Sequence, residues 1–240
     1  MAQRNAQNRA RRNDMALSNV AERTTSTDLI FDSLYERIVS LELLPGTKIS
    51  ETEVAKSLGY SRQPVREAFT RLANLNLLLI RPQRATLVRP FSLELIADAR
   101  FMRLAIELEV VRQAAAIPVP GAVKKLRSSI KAQREAVNTG DTQAFHDLDY
   151  EFHKLMCEAA GRPAAFQIIS ENKAQVDRLC VLSLTSPETM ETLFADHVAI
   201  LEAMMDHNAL RAEEVLRQHL SRLDPVIDAI YTTHRAYFEH

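Results

Sequence analysis

The sequence predicts a mainly α-helical protein in two parts: a winged helix-turn-helix of three helices plus a β-hairpin, followed by an all-α bundle of six or seven helices. Three observations predict it. Between Ser50 and Leu75 two short helical patterns meet at a glycine, and the second opens with cations. Two β-prone apolar runs joined by a basic turn come directly after them. From Ser92 onward helical periodicity runs through the remaining chain, with glycine only at Gly121, Gly140 and Gly161.

Taken in order, residues 1–27 are polar and poor in large apolar side chains, the composition of a disordered arm. Arg9, Arg11 and Arg12 there suit nonspecific phosphate contacts, and no hydrophobic core follows them as a cleaved targeting segment would require. Leu29 to Leu44 reads as an amphipathic helix on Leu29, Leu34, Ile38 and Leu41, closed by Pro45-Gly46. Ser50 and Glu53 form a capping-box pattern at the start of a second helix. Its apolar face is Val54, Ala55 and Leu58, and Gly59 supplies the left-handed residue that ends it. Ser61 caps a third helix from about Arg62, and Pro64 is tolerated in the first turn, where the missing N–H has no partner to lose. Val65, Ala68, Phe69 and Leu72 make its buried stripe and leave Arg62, Gln63, Arg66 and Thr70 facing outward. Leu77–Ile80 and Thr86–Val88 follow as strands around the turn Arg81-Pro82-Gln83-Arg84-Ala85.

The exposed N-terminal end of such a third helix is the part that enters a major groove. Arginine reads guanine edges or clamps phosphates, and glutamine pairs with adenine, so the chemistry fits double-stranded DNA. A capped helix pair with surface arginines also occurs in ordinary helical proteins, and here the flanking helix and basic hairpin favour DNA. Charge agrees with this division. Residues 1–27, 28–90 and 91–240 carry net +3, +2 and −6, a basic front and an acidic back within a chain of net −1.

The segment LLPGTKISETEVAKSLGYSRQPVREAFTRLANLNLL resembles the DNA-binding domain of GntR-type bacterial transcription regulators. The resemblance implies that Arg62 and Arg66 read bases and phosphates. Gln63 and Ser61 then stand beside them, Thr52 lies near the backbone from the preceding helix, and Arg84 holds phosphate at the wing with Arg81 and Arg89. Two positions depart from the family pattern. Asn76 stands for a glycine before the first wing strand and Ala85 for the wing-tip glycine. Asparagine tolerates positive φ, whereas alanine resists it, so the departure at Ala85 puts deep minor-groove insertion in question.

Behind Ser92, breaks at Ile117-Pro118, Asn138–Asp141, Gly161–Pro163, Ser186-Pro187, His207-Asn208 and Asp224-Pro225 separate the bundle helices. No apolar run approaches the roughly 20 residues of a membrane span, so no membrane role is expected. Cys157 and Cys180 lie in helical apolar patterns without CxxC spacing, which fits reduced core thiols and a cytoplasmic protein.

Asp149 and His153 stand one helical turn apart in DLDYEFHKL, with His197 and His219 on later helices. Three imidazoles and a carboxylate suit a divalent ion, zinc first, with nickel, manganese or iron as alternatives. From spacing alone the set is not unique, since His146 shares the Asp149 face. RLAIELEVVRQAA, FHDLDYEFHKLMCEAAG, DHVAILEAMMDHN and AEEVLRQHL resemble the all-helical FCD effector-binding domain of the FadR-type subgroup. That resemblance implies metal ligands at Asp149, His153, His197 and His219. It also implies an effector carboxylate bound by Arg103 with Asn172 facing the same cavity. Arg103 alternatively pairs with Glu107 one turn on.

The division expected is therefore an arm at 1–27, a DNA-binding domain at 28–90 and an effector-binding, dimerising domain at 91–240. The function expected is a repressor whose operator affinity changes with a metal and a small organic acid. Dimerisation is expected because one recognition helix reads too little sequence for genomic specificity. A regulator sensing the metal alone, and a metal-dependent hydrolase or lyase, are the alternatives. Against the enzyme, no separate general base stands at a known spacing, and the recognition helix would lack a role.

Overall fold

The computed structural model describes residues 24–183 and 187–239, with the backbone alone at 172–175, 180, 183 and 187. The expected arm, with Arg9, Arg11 and Arg12, lies outside these residues up to position 23. The first helix, α1 (Ser26–Val39), starts from a capping box in which Thr25 and Asp28 satisfy each other's backbone amides. It buries Ile30, Leu34 and Ile38, while Leu29 is half exposed. The helix is shorter than the sequence pattern suggested. Leu41 adopts φ 62° beyond its end and joins a different core, so Leu29 and Leu41 do not belong to its buried stripe.

Next, β1 (Lys48–Ile49) leads into α2 (Glu51–Leu58), which ends on Gly59 at φ 74°. The helix that follows, α3 (Arg62–Asn74), buries Val65, Ala68, Phe69 and Leu72 completely. Ser50 and Ser61 occupy the N-cap positions of α2 and α3, but neither side chain makes a capping hydrogen bond. The expected capping box on Ser50 and Glu53 is thus not formed. Extended backbone at each cap, and burial of the apolar stripes, start these helices without it.

Two further strands, β2 (Leu78–Leu79) and β3 (Thr86–Val88), make the hairpin, and β1 adds to it in the order β1-β3-β2, all antiparallel. The third strand was not apparent from two residues, too few to show alternation. Asn76 does take positive φ, at 57°. In the wing turn the left-handed residue is Gln83, also at 57°, so Ala85 carries none of the strain expected of it.

Seven helices form the second body among the described residues: α4 (Leu93–Ala116), α5 (Ala122–Thr139), α6 (Thr142–Ala159), α7 (Pro163–Ser183), α8 (Pro187–Met205), α9 (Ala209–Ser221) and α10 (Asp224–Thr233). Local signals set their ends. Ser92, Asp141 and Asn208 accept hydrogen bonds from first-turn amides of α4, α6 and α9, and Gly140 at φ 68° closes α5. Val110, Phe152, Ile200, Met204 and Leu216 lie in the core between them. No described helix is long and apolar enough to cross a membrane.

The two bodies are joined by a built junction rather than a bare linker. Phe91 is fully buried among Leu41, Leu179, Ile227, Ile230 and Phe238. Its backbone pairs with the C-terminal segment, its N–H donating to Tyr237 O at 2.7 Å and its carbonyl accepting from Glu239 N at 2.8 Å. Arg89 reaches both ways, donating to Asn76 Oδ1 at 2.9 Å and to Glu239 Oε1 at 2.8 Å. Arg178 of α7, fully buried, donates to the Arg89 carbonyl at 2.9 Å and lies 4.5 Å over the Phe91 ring.

Candidate functional site

At the front, α3 leaves Arg62, Gln63, Arg66 and Thr70 exposed at one face, with Ser61 and Thr52 exposed nearby. Glu51 of α2 holds both cations, its Oε2 lying 3.6 Å from Arg62 and 3.4 Å from Arg66. Gln63 donates to Glu67 at 3.0 Å. The pairs are solvated, so they orient the side chains more than they stabilise the fold. Arg84 stands exposed on the wing turn, while Arg81 is partly buried there. Arg62, Gln63 and Arg66 thus share the exposed face at the N-terminal end of α3, each held by an acidic neighbour.

In the bundle, α6 presents Asp149 and His153 from adjacent turns, α8 supplies His197, and the last turn of α9 supplies His219. One donor atom from each lies within 4.8 Å of all the others. His219 Nε2 is 3.3 Å from His153 Nε2 and 3.4 Å from His197 Nε2, and Asp149 Oδ1 is 3.4 Å from His197 Nε2.

The other ring nitrogens explain why these three meet. His153 Nδ1 donates to Glu107 at 2.5 Å, and His197 Nδ1 donates to Gln133 Oε1 at 2.7 Å. Gln133 is oriented for that role because its Nε2 donates to Ser129 Oγ and to the Leu148 carbonyl. Asp196 Oδ2 faces His219 Nδ1 at 3.4 Å. With protons on the Nδ1 atoms of His153 and His197, their Nε2 atoms turn lone pairs toward His219 Nε2 and the Asp149 carboxylate. Such lone pairs repel unless a cation lies between them. A tetrahedral zinc site places ligand atoms roughly 3.3 to 3.4 Å apart, which follows from bonds of about 2.0 to 2.1 Å. The donor set and its outer partners therefore fit a divalent metal.

Burial favours the neutral form of two of the imidazoles. Burial pushes His197 down to about 4, and burial likewise lowers His153 despite the Glu107 charge. Glu107 is fully buried, which alone would raise its carboxyl, yet Arg103 and His153 hold it far below the usual range. Burial also works against Asp196, and its bonds to Arg222 and His219 bring it down to about 2. Phe152 stacks on His197 with ring centres 4.3 Å apart, closing the apolar side.

Asp149 and His219 also line a cavity of about 670 Å³, together with Arg103, His146 and Arg222. Arg103 makes the ion pair one turn on, its Nε donating to Glu107 at 2.6 Å, and the side chain also borders the cavity. His146 is at the cavity wall but outside the four-donor cluster. Asn172 is carried by α7, and its side chain lies outside the described residues, as does that of Cys180. Cys157 is a buried free thiol pushed up to about 12, first by burial and then by the charges of Glu107 and Glu158.

Sequence reasoning missed Glu107 as a histidine partner, and it missed Gln133, Asp196 and Arg222. Asp196 had a signal, since it directly precedes His197. Gln133 had none, because an isolated glutamine in an amphipathic helix looks like any surface residue.

Residues 27–88 match the family model described as bacterial regulatory proteins, gntR family, and residues 98–222 match the FCD domain. The chain is 33% identical over 209 residues to an HTH-type transcriptional repressor, RspR, of Escherichia coli K12, covering 87% of this chain and 92% of that protein. It is 30% identical over 208 residues to an HTH-type transcriptional regulator in an unstable DNA locus of Streptomyces ambofaciens, covering 87% of each. Among solved structures, E. coli McbR/YncC superposes with a TM-score of 0.73 at 19% identity, over 86% of this chain and 99% of that one.

Proposed function

The chain belongs to the GntR family of bacterial transcriptional regulators with an FCD domain, and from that premise we propose that it is a repressor whose operator affinity is set by a small carboxylate bound at a metal in the bundle. Its relatives are regulators, not enzymes, which removes the hydrolase or lyase alternative. The observation that carries the reading is the convergence of three imidazole Nε2 atoms and Asp149 at the wall of a cavity that Arg103 also borders. A divalent ion there, zinc before nickel, manganese or iron, would supply Lewis-acid attraction for a carboxylate. Asp149, His153, His197 and His219 would hold it, and Arg103 at the cavity wall would pair with the acid.

In this reading residues 28–90 bind DNA, residues 91–240 bind the effector and dimerise, and residues 1–27 are a basic arm. The protein acts in the cytoplasm as a homodimer on two half-sites. Arg62 and Arg66 read bases and phosphates, supported by Ser61 and Gln63, with Thr52 and Arg84 on the flanking backbone. Asn172 adds a polar contact to the acid.

A physical route supports coupling between the ends. On α7, Val176 lines the cavity and Arg178, two residues on, holds the linker. On α10, Val226 lines the cavity and Ile227 packs against Phe91. An acid that repacks these helices shifts the linker, and half-sites one helical turn apart respond to displacements of a few ångströms.

The test begins with an operator selected from random duplex DNA by the zinc-loaded protein. Binding is then measured by anisotropy against a carboxylate panel, with and without chelator. An acid response that chelator abolishes, with operator binding itself retained, is the expected result. Operator binding unchanged by every acid, with zinc verified in the protein, overturns the switch. Loss of operator binding on chelation alone makes the metal itself the signal.

A further inference from the structure

The cavity beyond the metal donors is built largely of hydrocarbon. Leu104 of α4, Phe145 of α6, Val176 of α7, Leu193 of α8, Leu220 of α9 and Val226 of α10 each face it, one residue from each of six helices. Phe145 and Val176 are buried, and Leu104, Leu193, Leu220 and Val226 are partly buried. Phe101 stands at the rim, 73% exposed.

Charge is nearly balanced around this wall. Glu107 pairs with Arg103, Asp196 with Arg222 and Asp224 with Arg100. Asp149 offsets one of a divalent ion's two charges. A single positive charge is left at the inner end, enough for one carboxylate. At the outer end Arg217 and Glu188 both line the opening, with opposite signs.

Size adds a constraint. At about 30 Å³ for each water in the liquid, a cavity of 670 Å³ has room for some twenty waters, and an acid of acetate size displaces few of them. Most of the wall surface is apolar, so most of the favourable free energy available here lies in covering it, while the hydroxyls of Thr189, Thr192 and Ser221 offer a few polar contacts.

We propose that the effector is an amphipathic monocarboxylic acid, its carboxylate at the Asp149–His219 end and an unsubstituted hydrocarbon body, aliphatic or aromatic, of about six to ten carbons along the six-helix wall. This rests on the reading of the cluster as a metal site that binds a carboxylate, and it adds the class of acid. Sugar acids are disfavoured by the apolar part of the wall, and tricarboxylates by the charge count.

The probe is a homologous series of straight-chain acids from acetate to decanoate, with 3-phenylpropanoate, gluconate and citrate, titrated calorimetrically into full-length zinc-loaded protein. Affinity is expected to rise about fourfold with each methylene, the free energy of burying one, until the chain reaches the rim at Phe101. Hexanoate is expected to bind more than about a hundredfold more tightly than gluconate of equal carbon number, the product of several such steps. Leu193→Asn should flatten the series while leaving acetate unchanged, and Val226→Asn, at a second wall position, should do the same. A series in which acetate binds as well as octanoate overturns the apolar body and leaves the carboxylate-on-metal reading standing. Tighter binding of gluconate or citrate than of hexanoate does likewise. Failure of every acid to bind, with zinc bound, overturns both.

Discussion

Glu107 is the residue on which the proposed metal site turns. Its carboxylate, fully buried, accepts from His153 on one oxygen and from Arg103 on the other. Glu107→Gln keeps the shape but removes the charge that fixes the His153 tautomer. Zinc affinity, measured by competition with a chromophoric chelator, should fall about 10- to 100-fold, the usual effect of losing an outer partner of a ligand. An unchanged affinity would show that His153 needs no such orientation. At the other end of the molecule, Arg62→Ala and Arg66→Ala should each weaken selected-operator binding by roughly 1 to 3 kcal/mol if they read bases. The cluster residues were nameable through the family resemblance, because spacing alone left His146 on the same face as Asp149. Gln133 was not, since its role exists only where the side chains of α5 and α8 meet.

Among the elements, α1 shows how a cap outweighs a pattern. The apolar spacing suggested a helix running to Leu44, yet the helix starts at a Thr25–Asp28 capping box and stops at Val39. Asp28 is held down to about 2, first by its bonds to Thr25 and then by Arg71 of α3. A carboxylate lowered in the folded state gives stability that is present above its ordinary value of 3.8 and lost as pH falls through about 2. Asp28→Ala should therefore melt at a lower temperature than the parent at pH 7, with the gap closing as pH approaches 2. A gap independent of pH would place the effect in packing and not in charge. The wing makes a related point. Ala85 looked like the strained position, but the chain puts its left-handed residue at Gln83, where a polar side chain remains in water. Which residue of a turn takes positive φ is decided by strand register, here Leu79 opposite Leu87, and a single segment does not reveal it.

For the whole molecule the junction matters most. Arg178 is a fully buried cation pushed down to about 10 by burial, with Nε and Nη2 lacking hydrogen-bond partners among the described residues. Leaving a guanidinium so placed costs desolvation that one carbonyl bond and one ring contact do not recover in full. Arg178→Met should consequently keep or raise the melting temperature while reducing the acid response of operator binding, because the Arg89 carbonyl is released. A variant that unfolds more readily would show that the clamp is structural. One that melts as expected and responds to acid like the parent would remove Arg178 from the coupling route.

The sequence by itself determined the helix inventory and the chemistry. Proline and glycine breaks, helical apolar spacing and the outward arginines of α3 are local properties, written in neighbouring residues. The four donors Asp149, His153, His197 and His219 were also nameable from their motifs. Only the tertiary structure decided that their donor atoms converge, that Glu107, Gln133 and Asp196 back them, and that a hydrocarbon-walled cavity opens beside them. It also decided that Phe91 is clamped by Phe238, 147 positions along the chain. Each of these depends on side chains far apart in sequence meeting in a low-dielectric interior, where burial and partner geometry set the outcome and no local pattern records it.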